Sequence, residues 1–370
     1  MPNRFRTSKQ IRVGGIPIGG GAPVVIQSMT NTDTRDARAT LAQIRELASA
    51  GCEIVRVTVP DEAATAALPE ILAGSPVPVI ADIHFDYRLA LASIRAGIHA
   101  IRLNPGNIGS ADRVKAVAEA AGAAGIPIRV GANSGSLPKG LLESKLAAGL
   151  SHDDALAGSL VEAALGQVAL LEQYSFTDLK VSLKASSVPV TVKAYRMFAE
   201  RSDHPLHLGV TEAGTAYRGA IKSAVGIGAL LLDGIGDTIR VSLSAPPVEE
   251  IRAAVAILEA AGLRDAAPEL VSCPTCGRTS WDLIAMAERV ERFIAEVKSS
   301  GKKISLRKVA VMGCAVNGPG EAADADIGIA GGDRRGELLV FKHGKPLTKL
   351  PEAEAFAFLQ KEILDSAREP

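Results

Sequence analysis

Residues 54–83 read IVRVTVPDEAATAALPEILAGSPVPVIADI. An apolar run from Ile54 to Val59 is followed by an Ala-rich segment and then by a second apolar run, Val77 to Ile83. Near-continuous apolar strands separated by a helix are typical of a parallel sheet that is covered on both faces. This stretch therefore predicts one strand–helix–strand unit of such a sheet.

The same rhythm extends outward on both sides, from residue 24 to about residue 262. Six further apolar runs have the same character: Val24 to Ile26, Ala100 to Leu103, Ile126 to Val130, Leu179 to Leu183, Leu206 to Val210 and Thr238 to Leu243. Between the runs lie helical segments such as Leu41 to Ala50, and many of them close on a glycine that suits a helix C-cap. Eight units over roughly 240 residues favour a TIM-type (β/α)8 barrel over an open doubly wound sheet.

After Gly262 the regular alternation of strands and helices ends, and helices and strands follow in an irregular order. They are a connector from Leu263 to Val271, a helix from about Trp281 to Lys298, strands at Lys308 to Met312, Ile327 to Ile329 and Leu338 to Lys342, and a helix from about Glu352 to Ser366. The sequence thus predicts an α/β protein with a substrate-binding barrel at residues 1–265. A small α+β iron–sulfur domain is expected at residues 266–370, because this region contains three of the four cysteines.

The composition is that of an ordinary globular enzyme, with 47% hydrophobic and 22% charged residues. Lys+Arg and Asp+Glu both number 41, so net charge gives no indication of a nucleic-acid or membrane partner. No apolar stretch approaches a membrane span. The basic N-terminus, with Arg4, Arg6, Lys9 and Arg12, lacks the apolar core of a signal peptide and is expected to be a solvated lead-in strand. We expect a cytoplasmic protein.

Three of the four cysteines lie in the C-terminal region in a pattern that suggests metal ligands. Cys273 and Cys276 form a C-x2-C pair just before a helix, and Cys314 lies in the loop GCAVNGPGE, residues 313–321. In a cytosolic chain such cysteines favour metal binding or redox chemistry over structural disulfides. Spacing alone leaves an iron–sulfur site, a zinc site and a redox dithiol all open.

The fourth ligand of such a site is less obvious. Glu321 ends the same loop as Cys314, so a carboxylate ligand is plausible, whereas His343 is expected in a hairpin turn. Cys52 lies in the second barrel strand, where a small buried hydrophobic residue is the ordinary interpretation.

Polar side chains recur at the ends of the predicted barrel strands, where the active sites of such barrels lie. They are Arg56 and Thr58, Asp82 and His84, Arg102 and Asn104, Arg129 and Asn133, Lys180, Ser182 and Lys184, Thr211 and Glu212, and Arg240 and Ser242. Most are two or four residues apart within a strand and so share a face. Helices cover the outward face, where an unpaired cation would be costly, so the sequence predicts that these side chains point into the barrel.

Cations from five strands outnumber Asp82 and Glu212 in this set. The ligand should therefore carry several negative charges, as a phosphate or diphosphate does. The loop NPGNIG, residues 104–109, leads into a helix and could add backbone N–H donors, although an ordinary turn is equally compatible with it.

These residues closely resemble the 4-hydroxy-3-methylbut-2-enyl diphosphate synthase family of the non-mevalonate isoprenoid pathway, in its bacterial two-domain form. The matching motifs run almost from end to end: QSMTNT at 27–32, ADIHF at 81–85, IRLNPGN at 101–107, RVGAN at 129–133, GVTEAG at 209–214, SCPTCGR at 272–278 and NGPGE at 317–321. The last two are highly specific in combination.

The resemblance implies an iron–sulfur oxidoreductase that dehydroxylates 2-C-methylerythritol 2,4-cyclodiphosphate reductively and opens its ring. One 4Fe-4S cluster would be held by Cys273, Cys276, Cys314 and Glu321, and flavodoxin or ferredoxin would supply electrons. Glu212 would be the acid or base, with Asp82 and His84 as supporting residues. The implied substrate-binding residues are Arg56, Arg102, Asn104, Arg129, Asn133, Lys180, Ser182, Lys184, Arg240 and Ser242.

Two other functions would also pair a barrel with clustered cysteines. A radical-SAM barrel needs three close cysteines near the first strand, and none occur there. The stronger rival is a non-redox lyase barrel that binds a phosphate substrate and carries a zinc-knuckle interaction module.

The connector between the two domains favours a homodimer. The last barrel helix should end at the bottom of the barrel, and the 11 residues from Gly262 to Cys273 (273 − 262) reach at most about 36–40 Å. That is about the height of a barrel with its loops, so a domain would struggle to cap its own barrel. We expect a head-to-tail dimer in which each barrel meets the partner's cluster, as the family resemblance also implies.

Overall fold

The computed structural model describes residues 6–104, 108–265, 268–279, 281–316, 318–332, 334 and 336–369. The chain divides into two compact units, Met1–Arg264 and Asp265–Pro370.

The first unit is a parallel eight-stranded barrel. A two-stranded hairpin, β1 (Ile11–Val13) and β2 (Ile16–Ile18), precedes the barrel strands β3 (Val25–Met29), β4 (Ile54–Thr58), β5 (Val79–Asp82), β6 (Ala100–Arg102), β7 (Ile128–Asn133), β8 (Leu179–Lys184), β9 (His207–Leu208) and β10 (Thr238–Ile239). The order is β8-β7-β6-β5-β4-β3-β10-β9. A parallel bridge between Val181 and Leu206 joins the two outer strands and closes the barrel. The (β/α)8 prediction is confirmed.

Helices surround these strands. They are α1 (Ala37–Ser49), α2 (Glu62–Gly74), α3 (Tyr87–Arg95), α4 (Ala111–Ala124), α5 (Leu141–Ala147), α6 (His152–Glu172), α7 (Val188–Ala199), α8 (Ala216–Leu232) and α9 (Pro247–Ala260). Side-chain caps start several of them: Asp36 accepts from the Ala39 amide and Asp61 from the Ala64 amide. By length and composition alone, α6 could cross a membrane, and half of its most apolar window is buried within the protein.

The N-terminal hairpin corrects one expectation. Residues 11–18 are a paired hairpin with a buried face, where a solvated lead-in strand was predicted. Ile11, Val13 and Ile18 pack against Val25 and Ile54, at the start of barrel strands. The hairpin therefore covers the bottom of the barrel, and its alternating apolar side chains pack against the starts of the barrel strands. Arg4 lies outside the described residues.

The second unit is the expected α+β domain. Its strands are β11 (Glu269–Ser272), β12 (Lys303–Ile304), β13 (Lys308–Met312), β14 (Ile327–Gly331), β15 (Glu337–Lys342), β16 (Lys345–Pro351) and β17 (Ala367–Arg368), and its helices are α10 (Leu283–Ser299), α11 (Gly318–Glu321) and α12 (Glu352–Asp365). Five strands form one sheet in the order β11-β13-β14-β15-β16. Residues 269–272, predicted as connector, are therefore an edge strand. Helices α10 and α12 bury Met286, Val290 and Leu359 against the sheet.

Candidate functional site

The strand register places the charged residues of neighbouring barrel strands side by side. Asp82 is the register partner of Arg102, Arg102 of Arg129, and Arg129 of Lys180. Register partners point to the same face of a sheet, so all four side chains share one face. Lys180 Nζ reaches Gln27 Oε1 on β3, a strand that is not a neighbour of β8, so this shared face is the inside of the barrel.

Asp82 is the counter-charge of two arginines. Its Oδ1 accepts from Arg102 Nη1 at 3.1 Å, and its Oδ2 lies 3.3 Å from Arg56 Nε, an ion pair whose geometry is not that of a hydrogen bond. Burial raises the pKa of Asp82, but Arg56, Arg102 and Arg129 together outweigh it, so the pKa lies below its ordinary value. Asp82 is thus held ionised and orients the arginines.

Lys184 and Arg129 are buried cations that face mainly other cations. The Arg129 Nη1 donates to Ser182 Oγ at 2.8 Å, while its Nε has no hydrogen-bond partner among the described residues. Burial and the nearby Arg129 and Arg240 side chains hold the pKa of Lys184 well below its ordinary value. Burial also lowers the pKa of Arg56, to about 10. Buried polar groups normally have partners, so this arrangement of the described residues is suited to binding an anion.

Arg240 has a carboxylate partner that the sequence analysis missed. Its Nη2 lies 3.6 Å from Glu250 Oε2, and Glu250 also accepts from the Leu243 amide at 2.9 Å. Glu250 lies in the first turn of α9, where an acidic residue normally indicates only a favourable helix terminus. Within the described residues, five of the six inward basic side chains (Arg56, Arg102, Arg129, Lys184 and Arg240, the sixth being Lys180) therefore face two carboxylates, Asp82 and Glu250.

Lys180 lies beside Arg129 near the start of its strand. It is the second residue of β8, four residues before Lys184, and so about 13 Å from Lys184 along the strand. Its Nζ is 3.4 Å from Gln27 Oε1, and burial lowers its pKa to about 7. Whether Lys180 contacts the substrate stays a prediction.

His207 and Thr238 are further buried polar residues that the sequence analysis missed. The His207 Nδ1 is 2.8 Å from Thr238 Oγ1, and burial and nearby cations keep the pKa of His207 well below its ordinary value. The sequence offers two indications of buried polar residues in this region. Thr238 is two residues before Arg240 and so points to the same face of the strand, and Gln27 is a polar residue within an apolar strand.

The rim of the barrel carries the remaining predicted residues. Glu212 is exposed and has φ 53°, a left-handed conformation that is uncommon for a residue other than glycine and is often found at functional sites. His84 is exposed, and its ring centroid lies 6.1 Å from that of Phe85. Asn104 is buried, whereas Asn133 and Ser242 are partly exposed. Residues 105–107 of the proposed donor loop lie outside the described residues.

Cys52 is a core residue, as predicted. It is buried in the barrel, and its Sγ donates to the Ile54 carbonyl at 3.1 Å. Burial raises the pKa of the thiol to about 12, so Cys52 is poorly suited to bind metal as a thiolate.

The other cysteines gather at one edge of the C-terminal sheet. Strands β11 and β13 are parallel neighbours, with Ser272 beside Val311, so Cys273 and Cys314 both follow the carboxyl ends of adjacent strands. The Gly313 amide donates to Cys273 Sγ at 3.0 Å. Cys276 is exposed, and Glu321 ends the short helix α11 that follows Cys314.

Close backbone packing around Gly313 explains why glycines occupy this loop. A Cβ on Gly313 would lie 2.6 Å from Thr279 Oγ1 and 3.3 Å from Cys273 Sγ. A Cβ on Gly331 would lie 2.4 Å from the Gly313 carbonyl. Asn317 lies outside the described residues. The glycines let the backbone approach the cysteine sulfur closely.

The donor set fits an iron–sulfur cluster in chemical type. Three thiols, a carboxylate and an N–H···S hydrogen bond are the ligands and contacts that such clusters use. The described residues contain no group of three His, Cys, Asp or Glu side chains close enough to hold one metal ion. A cluster binds each ligand to a different iron, so its ligands lie farther apart than those of a single ion.

Both units match known protein families. Residues 8–255 match the family model of the GcpE TIM-barrel domain, and residues 269–365 match that of the GcpE protein C-terminal domain. The chain belongs to the GcpE family. The site residues of the barrel and the cysteine loops both lie inside the regions of this GcpE chain that match.

Curated relatives of this GcpE chain match over nearly their whole length. "4-hydroxy-3-methylbut-2-en-1-yl diphosphate synthase (flavodoxin)" of Geobacter sulfurreducens is 54% identical over 96% of this chain and 97% of its own. The proteins of the same name from Salinispora tropica and Ruminiclostridium cellulolyticum are 53% and 52% identical, over 98% and 96% of this chain and 90% and 97% of their own. The family that the sequence motifs resembled is thereby confirmed.

Proposed function

We propose that this GcpE chain converts 2-C-methylerythritol 2,4-cyclodiphosphate into 4-hydroxy-3-methylbut-2-enyl diphosphate. A ring C–O bond and a C–OH bond break, a C=C bond forms, two electrons and two protons are consumed, and water leaves. The observation that carries the proposal is the buried cation cluster, whose five cations face only two carboxylates among the described residues. A cyclic diphosphate supplies the negative charge that this cluster lacks.

The arginines are positioned before the substrate arrives. Asp82 holds Arg56 and Arg102, and Glu250 lies beside Arg240, so these guanidinium groups need little reorganisation to bind phosphate oxygens. Lys184 has no carboxylate within ion-pair distance among the described residues and would gain the most from a bound diphosphate. Binding at the cluster would fix one end of the substrate and direct the carbon skeleton toward the rim.

Glu212 is the residue we assign to proton transfer. It stands at the rim, while Asp82 is held ionised by its arginines and is a poor acid. A carboxyl group at this position can protonate the departing hydroxyl, which would otherwise leave as hydroxide. His84, exposed on the same rim, is a second polar group for the substrate.

Cys273, Cys276, Cys314 and Glu321 are proposed to hold one 4Fe-4S cluster. When bound, such a cluster would supply the two electrons of the reduction. Glu321 would be the most readily exchanged of the four ligands, because a carboxylate exchanges more readily than a thiolate. Flavodoxin, the word printed in the relatives' names, or ferredoxin is the proposed electron donor.

A homodimer is part of the proposal, as is action in the cytoplasm. The chain leaves the barrel unit at Arg264, whose guanidinium donates to the Val24 carbonyl at 3.2 Å, beside the start of β3. The start of a barrel strand is the face opposite to the active-site mouth. Cys273 follows Arg264 by only nine positions (273 − 264), a stretch of chain that reaches at most about 32 Å. A partner's cluster is therefore the better candidate to serve each mouth.

Anaerobic purification and a reconstituted assay test the proposal. We expect a brown protein with about four irons and four sulfides per chain, and product formation from the cyclic diphosphate with reduced flavodoxin. A colourless protein that contains zinc and shows no activity would instead support the phosphate lyase with a zinc knuckle and overturn the proposal.

Complementation tests the shared site. Cys314→Ser and Glu212→Gln chains, each inactive alone, are mixed under iron-replete reducing conditions that exchange subunits. Activity should return toward a quarter to a half of wild type, because some heterodimers contain one intact site. A mixture with proven heterodimers and no activity would mean that each chain uses its own cluster.

A further inference from the structure

Two buried glycines, Gly131 and Gly209, flank strand β8 on its two sides. Gly131 on β7 is the register partner of Ser182 on β8. The parallel bridge that closes the barrel, followed three residues further along both chains, places Lys184 beside Gly209. A glycine at such a position often marks a place where another group approaches the backbone closely.

The hydroxyl of Ser182 occupies the space that a side chain at position 131 would fill. A Cβ on Gly131 would overlap Ser182 Oγ and would lie 2.8 Å from the Ser182 carbonyl oxygen. The same hydroxyl accepts from Arg129 Nη1 at 2.8 Å, and Arg129 is two residues before Gly131 on β7. Gly131 therefore lets the Ser182 hydroxyl lie against β7, within reach of this guanidinium group.

The ammonium group of Lys184 occupies the corresponding space at Gly209. A Cβ on Gly209 would lie 2.7 Å from Lys184 Nζ, 3.1 Å from Lys184 Cε and 2.7 Å from the Arg240 carbonyl oxygen. Among the described residues no carboxylate lies within ion-pair distance of this ammonium group. The close approach to Gly209 is therefore the contact that gives Lys184 its direction.

The two side chains lean in opposite directions from β8. The Ser182 hydroxyl lies against β7, and the Lys184 ammonium group lies against the chain that continues β9. After burial, repulsion by Arg129 is the largest cause that lowers the pKa of Lys184. Leaning away from β7 separates these two cations while both stay inside the barrel. Cations that already hold their direction need little reorganisation when an anion binds.

We propose that Gly131 and Gly209 are positioning residues of the cation cluster, and that they act through Ser182 and Lys184. Neither glycine contacts the ligand, and each leaves a space that gives one polar side chain of β8 its direction before the ligand binds. Both lie in the motifs RVGAN, at 129–133, and GVTEAG, at 209–214, and the proposal gives these glycines a role. It rests on the proposed function, because it takes the ligand of the cluster to be a diphosphate.

A double-mutant cycle on the full-length protein tests the role of Gly209. Calorimetry without reductant measures the affinity for two probes, inorganic pyrophosphate and the cyclic diphosphate. Gly209→Ala should weaken binding of both by about 10- to 100-fold, the loss expected for one charge-assisted hydrogen bond. In a Lys184→Ala background, which has no ammonium group in that space, Gly209→Ala should weaken binding by less than about threefold further. Equal losses in the two backgrounds would mean that Gly209 does not act through Lys184 and would overturn the proposal.

Folding of the Gly209 variants is measured separately by far-UV circular dichroism, because the new Cβ would also lie 2.7 Å from the Arg240 carbonyl oxygen. If Gly209→Ala alone does not fold, the double variant with Lys184→Ala should fold, since the ammonium group is gone. A double variant that also fails to fold would assign Gly209 to the packing of the backbone and overturn its proposed role. A crystal structure of folded Gly209→Ala should show Lys184 Nζ displaced by about 1 Å, the difference between 2.7 Å and an ordinary contact of about 3.5–4.0 Å. An ammonium group that has not moved would contradict the proposal.

The same cycle with Gly131→Ala and Ser182→Ala tests the β7 side. Ser182→Ala removes the hydroxyl that accepts from Arg129 and adds no atom, so it should weaken pyrophosphate binding by about 10-fold without crowding the strand. Gly131→Ala should weaken binding as much in the wild-type background and little further in the Ser182→Ala background. Additive losses would mean that Gly131 does not act through this hydroxyl.

Gly74→Ala is the matched control. A Cβ on Gly74 would lie 2.9 Å from Leu41 Cδ1, at the end of α2, so this variant adds a crowded Cβ among the outer helices and away from the cation cluster. Its affinity for both probes should equal that of wild type, and a loss as large as in Gly209→Ala would overturn the proposal.

The outcomes separate this proposal from the proposed function. A protein that binds pyrophosphate with the expected couplings but shows no reductive activity would overturn the proposed function alone. Full affinity in folded Gly209→Ala and Gly131→Ala, together with wild-type activity, would overturn the role of the glycines alone. A wild type that binds neither probe would overturn both.

Discussion

Replacing Asp82 by Asn tests whether one carboxylate organises the cation cluster. The substitution keeps the shape of the side chain and removes the charge that faces Arg56 and Arg102. Both ion pairs are largely buried, so in the variant the two arginines would repel each other with no counter-charge between them. We expect a less stable barrel and arginines that no longer hold one orientation.

The magnitude follows from the two distances. At 3.1 Å and 3.3 Å, and at an effective dielectric constant of about 20, each pair contributes about 5 kcal/mol of gross attraction. The desolvation of Asp82 offsets much of this sum. Breaking a buried pair by removing one partner typically costs about 3–5 kcal/mol, and this is the loss in unfolding free energy that we expect.

The pH dependence gives the sign of the effect. The pKa of Asp82 is lowered in the folded protein, so its stabilising contribution is complete above the unfolded pKa of about 3.9 and is lost as pH falls through the folded value. The difference between wild type and Asp82→Asn should therefore be full at pH 7 and should shrink in acid.

Urea titration followed by far-UV circular dichroism measures this difference. Glu162→Gln is the matched control, because Glu162 pairs with Lys145 at 2.7 Å on the surface and its loss should cost less than about 1 kcal/mol. If Asp82→Asn costs no more than this control at pH 7, the ion pairs do not organise the cluster and the assignment of Asp82 is wrong.

Three further predictions concern the cysteines, the arginines and Lys184. Cys314→Ser should abolish the cluster absorbance and iron content, whereas Cys52→Ala should keep both and cost about 1 kcal/mol for a small cavity in the urea titration. Arg102→Gln should weaken binding of the cyclic diphosphate by about 1.5–3 kcal/mol in calorimetry without reductant, and unchanged affinity would place Arg102 outside the site. Burial and four arginines lower the pKa of Lys184 in the free protein, and a dianionic ligand raises it, so binding should take up protons and weaken as pH rises. Lys184→Arg should reduce the proton uptake on binding, measured by calorimetry in two buffers. Equal uptake in wild type and variant would contradict this role of Lys184.

The sequence by itself determined the barrel and the family, and it predicted the cysteine site. Each unit of the barrel repeats one strand and one helix, so eight apolar runs were enough to predict eight parallel strands. The local pattern also located the two long helices of the second unit, but not the short helix α11. Motifs such as SCPTCGR and NGPGE combine chemical function and backbone constraint within a few residues. Such short-range signals can be interpreted without knowing what lies across the fold.

Only the tertiary structure decided which of these residues meet. The alternation of side chains along a strand predicted that Asp82 points inward, but its pairing with Arg56 and Arg102 depends on the register between strands. Glu250 has the sequence signature of an ordinary helix start, and its place beside Arg240 depends on how α9 packs. Helix α8 is apolar on nearly all sides, so its sequence cannot say which face the barrel buries and which it leaves to water. Burial and pairing are properties of distant segments brought together, and a local pattern carries no information about its partner.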